Sequence, residues 1–184
     1  RKLRLVKPTA VHLQILGQME LPHLFRLELL DNNNWEKTAL EDEDLKHIAH
    51  LSLTQLVIHA KGGWRFKGSG LIHTKKMPLE ELELRAGVGD AALTHLQHQK
   101  GLKKLDLSGC RIRGEGLHYL KNVPLTHLDL AEPERRFSGL THYDVFSSSS
   151  AWNLERLNLS KRTLNSNKLQ EHLAGLSNLK YLDM

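Results

Sequence analysis

Cysteine is nearly absent from this chain: Cys110 stands alone among 184 residues. One thiol makes no intramolecular disulfide, which excludes the stapled frameworks of small extracellular domains and points to a reducing, intracellular compartment such as the cytoplasm. Aromatic residues are scarce as well, with three Trp, three Tyr and four Phe. That removes the stacking platform on which single-stranded nucleic acid is usually held, and argues against nucleic acid as the partner. No window reaches 18 consecutive apolar residues, and the opening "RKLRLVKPTAVHL" alternates charge with leucine where a signal peptide would be apolar, so no membrane insertion is expected. Also missing are a nucleophile elbow, H-E-x-x-H and a dinucleotide fingerprint. The glycine-rich "GGWRFKGSG" at 62–70 lacks the Lys-Ser/Thr ending of a phosphate loop and reads as a long turn between strand and helix. No catalytic constellation is recognisable, so neither enzymatic activity nor a cofactor is expected.

What the chain has in quantity is leucine. Apolar residues make up 40% of it, enough for a continuous core at this length. The net charge of +5 is a mild basic tilt rather than a polybasic tail, and twelve His make it sensitive to acidification.

The leucines recur. Taking the last apolar residue of each L-x-L as a marker gives Leu5, Leu29, Ile58, Leu84, Leu107, Leu130, Leu159 and Met184, spaced by 24, 29, 26, 23, 23, 29 and 25 residues. Each unit opens with a short period-2 pattern, as in "LFRLEL", "LEELEL", "LKKLDL" and "LERLNL", which predicts a strand with one buried face. A longer stretch follows with leucines three or four apart, as in "EDLKHIAHL", "AALTHLQHQ", "EGLHYLKNV" and "NKLQEHLAGL", which predicts amphipathic helices. No such unit buries its apolar face alone, so neighbours must stack.

The run "LKKLDLSGCRI" resembles the L-x-x-L-x-L-x-x-N/C-x-L signature of the leucine-rich repeat superfamily, with Cys110 in the Asn/Cys place and Ile112 in the last apolar place. The resemblance covers the whole chain. "GEGLHYL" is similar to the helix-containing subclasses, cysteine-containing or ribonuclease-inhibitor-like. It implies an α/β fold: a right-handed leucine-rich-repeat solenoid, a horseshoe arc of about seven to eight repeats in one domain, 1–184. Strands lie about 4.8 Å apart while packed helices need 8–10 Å, so a parallel β-sheet takes the concave side and helices the convex one. Lys61, Gly87, Pro133 and Arg162 stand in the Asn/Cys place of other units, so the ascending turns should vary. Because the pattern starts at Arg1 and stops at Met184 inside strand motifs, the chain is expected to be a segment of a longer protein.

The residues between the strand leucines should point away from the core. One column reads Arg4, Glu28, Val57, Glu83, Asp106, Asp129, Asn158, Asp183 and is largely acidic. The other reads Lys2, Arg26, Gln55, Glu81, Lys104, His127, Arg156, Tyr181 and is largely basic. Opposite charges on neighbouring strands pair for about 0.2–1 kcal/mol each, which by itself only keeps an exposed sheet soluble. The same columns also suit a docking surface for a protein partner. Glu83, Asp106 and Asp129 point to docking, because three acids in consecutive strands repel one another unless something compensates. Partner-binding candidates are therefore Glu81, Glu83, Arg85, Lys104, Asp106, His127, Asp129, Arg156 and Asn158. The function expected is a non-catalytic protein–protein interaction module; the resemblance implies the recognition domain of a ubiquitin-ligase adaptor or a bacterial protein delivered into host cells.

A second surface offers an alternative. Arg111 with Arg113, Arg135 with Arg136, and Lys161 with Arg162 leave the strands of three consecutive repeats, and stacking would align them as a basic edge able to bind phosphates or nucleic acid. Trp35 and Trp64 each follow their marker by six residues and should cap the core along one edge, or serve as a partner hot spot. His47 with His50 and His95 with His98 are three apart on expected helices, but a zinc site needs further ligands that Cys110 alone does not supply, so no metal is expected. The serines of "VFSSSSAW" read as a flexible linkage or a helix end.

Overall fold

The computed structural model describes residues 1–31, 40–60, 65–132, 139–142, 144–147, 152–164 and 169–184. A strand forms at each L-x-L: β1 (Lys2–Val6), β2 (Arg26–Asp31), β3 (Gln55–Ala60), β4 (Glu81–Arg85), β5 (Lys104–Asp106), β6 (His127–Asp129), β7 (Arg156–Asn158) and β8 (Tyr181–Asp183). They pair in chain order, all parallel, in one open eight-stranded sheet, so the fold is α/β. The register follows the leucine phasing without a slip. Leu5 faces Leu29, Leu29 faces Ile58 and Ile58 faces Leu84, while Leu82, Leu105, Leu128, Leu157 and Leu182 continue the parallel row. A shift by one residue would turn every leucine to solvent, so burial locks the register. From β2 to β7 the two leucine rows are at most 2% exposed.

Strand length divides the sheet. β1 to β4 run five or six residues and β5 to β8 only three. In β5, β6 and β7 the outward residue before the last leucine is Asp106, Asp129 or Asn158. Its side-chain oxygen accepts the backbone N–H two residues on, from Ser108 (2.7 Å), Ala131 (2.8 Å) and Ser160 (2.9 Å). Such a turn draws the chain out of the ladder. Glu28, Val57 and Glu83 occupy that position in β2 to β4 and do not form this turn, and those strands continue.

The segments returning behind the sheet differ from the expected α-helices. Helix α1 (Ala10–Gly17), which the leucine pattern did not single out, and the short α2 (Leu169–Leu173) are α-helical. Asp42–Ile48, Ser69–Thr74, Asp90–Leu96, Glu115–Leu120 and Asp144–Ser147 are 3₁₀ helices. The apolar face was read correctly, since Leu45, Ile48, Leu93, Leu96, Leu117 and Leu120 are all buried. The helix type follows from how closely the segments stack. Asp90 accepts the backbone N–H groups of Arg113 (2.8 Å), Gly114 (2.9 Å) and Gly116 (2.8 Å) in the next repeat, and Asp42 does the same for Lys67 (3.0 Å), Gly68 (2.7 Å) and Gly70 (3.1 Å). A Cβ on Gly116 would stand 2.2 Å from the Asp90 carbonyl oxygen, so the backbones touch where α-helices would be held apart by side chains. Gly114 also has φ 109°, a left-handed conformation that glycine adopts without a steric penalty.

Of the glycine-rich stretch 62–70 only 65–70 are described: it leads into the helix Ser69–Thr74, which Gly68 and Gly70 open as Gly114 and Gly116 open Glu115–Leu120. Among the described residues no helix is long and apolar enough to cross a membrane. The serine run is flanked by core, with Trp152 Nε1 donating to Val145 O at 3.2 Å and stacked obliquely on Phe146 at 5.3 Å. Trp35, Trp64 and the serines at 148–150 lie outside the described residues.

Candidate functional site

The face of the sheet opposite the leucines carries both charge columns, rung by rung. Lys104 stands between Glu81 and His127, Asp106 between Glu83 and Asp129, and Arg156 between His127 and Tyr181. All nine candidate docking residues fall on this one face or, for Arg85, at its β4 end.

Across β1 and β2 the face is built on Glu28, which is only 3% exposed. Three cations converge on it: Lys2 Nζ at 2.6 Å, Arg4 Nε at 2.5 Å and Arg26 Nε at 2.8 Å. Burial alone would raise the carboxyl, but hydrogen bonds from Lys2, Arg4 and Arg26 outweigh it and bring its pKa down to about 2. Arg26 also donates to Gln55 Oε1 at 2.9 Å. The sequence columns contained all four residues, yet nothing in them marked this cluster.

The central strands form a chain of contacts. His59 Nε2 lies 2.7 Å from Glu83 Oε1, Arg85 Nε lies 3.1 Å from the same oxygen, and Arg85 Nη2 reaches Asp106 Oδ2 at 3.5 Å. The His59 hydrogen bond outweighs burial and, with Arg85, lowers the Glu83 pKa. Lys104 Nζ pairs with Glu81 Oε1 at 2.6 Å. Asp129 takes the Ala131 N–H on Oδ1 and Asn158 Nδ2 on Oδ2 at 2.9 Å, but no ion pair among the described residues. Its burial, then the neighbouring Asp106 charge, raise its pKa. His127 is pulled down by burial and by Arg156 and Lys104 on the flanking strands. Arg156 stacks on Tyr181, 4.1 Å from the ring centre.

These contacts answer the repulsion raised by the sequence. For Glu83 and Asp106 the compensation comes from His59, Arg85 and the turn N–H, within the chain itself. Their alignment therefore does not by itself require a partner. Between the two ends of the network the face holds a depression of about 250 Å³, bordered by Arg26, Gln55, Glu81 and Asp106, with the buried Val57 among its lining residues.

The basic edge does not assemble as expected. Arg162 is buried, 8% exposed, and donates Nε to Leu130 O, Nη1 to Ile112 O at 2.9 Å and Nη2 to Cys110 O at 3.3 Å. Its Nη1 stands 3.9 Å from Glu132 Oε2, itself buried. In the Asn/Cys place a long guanidinium reaches inward to the carbonyls left by two preceding turns, which is why it is missing from the surface. Arg113 and Lys161 are exposed and Arg111 is half-buried. Arg135 and Arg136 lie outside the described residues. Cys110, wholly buried, donates Sγ–H to Leu84 O at 3.2 Å, and burial pushes its pKa up to about 12. Among the described residues no three His, Cys, Asp or Glu side chains are placed to share a metal ion.

No family model, curated protein or solved structure matches this chain.

Proposed function

We propose that the chain is a leucine-rich-repeat solenoid whose charged sheet face, on the concave side of a right-handed arc, docks a protein partner without catalysis of its own. The observation that carries this reading is the rung-by-rung alignment of the two columns over eight parallel strands, interrupted in charge only at Gln55, Val57 and Tyr181 and at the polar Asn158, which makes one wide, largely polar surface on the face opposite the leucines. Rigid parallel scaffolds of this kind lose little conformational entropy on binding. The lone thiol, Cys110, sits behind the sheet and is kept protonated by burial, which fits a structural rather than a chemical role. A recognition domain in a ubiquitin-ligase adaptor and a bacterial protein acting inside a host cell remain the two settings that the leucine-rich-repeat resemblance suggests. The basic edge is the weaker reading, because burial removes Arg162 from it.

Photo-crosslinking residues placed at Gln55 and Lys104, on the face, and at His95, behind it, test the proposal in a lysate at physiological salt. Adducts to one protein from positions 55 and 104 but not 95 are expected. Equal adducts from position 95 would overturn it.

A further inference from the structure

The charges of the sheet face are segregated into two poles. At β1 and β2, Lys2, Arg4 and Arg26 share the single carboxylate of Glu28, leaving two positive charges in excess. Lys2 and Arg4 remain about half exposed, with side chains 45% and 57% accessible. At β4 to β6 the imbalance is reversed. Glu83 and Asp106 share Arg85, and Asp129, in register beside Asp106, has no cation of its own among the described residues. Leaving aside His59, whose ring nitrogen lies against Glu83, the three carboxylates outnumber Arg85 by two. The depression over Val57 runs from Arg26, at the inner border of the positive pole, to Asp106 and Asp129, so a ligand lying along it and extending past Arg26 passes from cations to carboxylates.

From this geometry we infer that the face selects a polypeptide segment of split charge, acidic where it covers Lys2 and Arg4 and basic where it covers Asp106 and Asp129. The inference rests on the docking reading above and adds the chemistry of the partner. The poles are about four strand spacings apart, or about 19 Å. That span matches about six residues of extended chain, or about 13 of α-helix. A guanidinium or ammonium group beside Asp129 would supply the counterion that its turn N–H and Asn158 do not. Segments of one sign are disfavoured, because whichever pole they satisfy, the other repels them.

Two nine-residue peptides of equal composition and zero net charge provide the test: three Glu, three Ser and three Arg in blocks, and the same residues interleaved. Binding to the whole chain is followed by NMR titration at about 50 mM salt, where surface charge is least screened. The block peptide is expected to bind about fivefold tighter or more, since it engages both poles at once. The double variant Lys2→Ala with Arg4→Ala keeps Arg26 on Glu28, and Asp106→Asn with Asp129→Asn keeps the turn acceptor, as Asn158 does at the same position. Each pair of substitutions should erase the preference. Equal binding of the two peptides, or a preference that survives both double variants, would overturn the split-charge partner. A partner crosslinked at positions 55 and 104 would in that event still support docking on the face, so the two ideas fail separately.

Discussion

At the scale of single residues, Glu28 has the most exacting environment on the face. Its carboxylate is buried, yet it is held ionised by three donors, and its folded pKa of about 2 lies below the ordinary 4.5. A depressed carboxyl contributes stability that is fully present above the unfolded value and is lost as pH falls through the folded one. The substitution Glu28→Gln should therefore lower stability at neutral pH by about 1.5–3 kcal/mol, the range for a hydrogen-bonded charge. The gap between parent and variant should close between roughly pH 4.5 and pH 2. Denaturant melts at pH 7, 4 and 2.5 check this, and a gap that stays constant would mean that the three cations do not act on Glu28 as the geometry indicates.

At the scale of elements, the repeated device is an aspartate at the start of one return segment gripping the glycine turn of the next. Asp90 satisfies three backbone N–H groups that the tight 3₁₀ geometry would otherwise leave without acceptors, and two of them belong to the buried Gly114 and Gly116. Asp90→Ala is expected to cost about 2–5 kcal/mol, because desolvated donors lose their partner and water has little access. In a stack of repeats the damage should be local, with amide exchange accelerating at Glu115–Leu120 more than at the distant Ala10–Gly17. Uniform acceleration across the chain would instead show that the repeats unfold as one unit. The corresponding grip by Asp42 holds Gly68 and Gly70 where the glycine-rich stretch passes into the helix Ser69–Thr74.

At the scale of the whole molecule, the parallel sheet makes residues that are distant in sequence into neighbours, and Arg162 is the clearest instance. It bonds carbonyls 32, 50 and 52 positions earlier in the chain, tying three successive turns together at the edge of the sheet. Arg162→Met would leave the buried Glu132 carboxyl without the cation that faces it, a loss that typically costs about 3–5 kcal/mol. The double variant Arg162→Met with Glu132→Leu should be more stable than the single one, since it removes the stranded charge while losing the same three carbonyl contacts. Urea unfolding of both variants decides the point, and a double variant no better than the single would show that the two buried charges are uncoupled.

The strand positions, their order and their register were legible in the leucine spacing, because burial of every second side chain permits one phase only and a slip at any strand would expose its leucines. The two charge columns were legible for the same reason. The 3₁₀ return segments were not, since a leucine spacing of three or four suits either helix and the choice was made by backbone contact at Gly70 and Gly116. The burial of Arg162 was not legible either: its place in the Asn/Cys position set it apart from Arg113, but only the stacking of repeats supplied the buried carbonyls that drew it inward. The clustering of Lys2, Arg4 and Arg26 on Glu28, and the sharing of Arg85 between Glu83 and Asp106, likewise depend on side-chain reach across rungs. Periodicity determined what faces the core and what faces away. Which of the outward charges cancel, and which are left over, was decided by the tertiary structure, because charge pairing depends on distances between strands that the linear pattern does not contain.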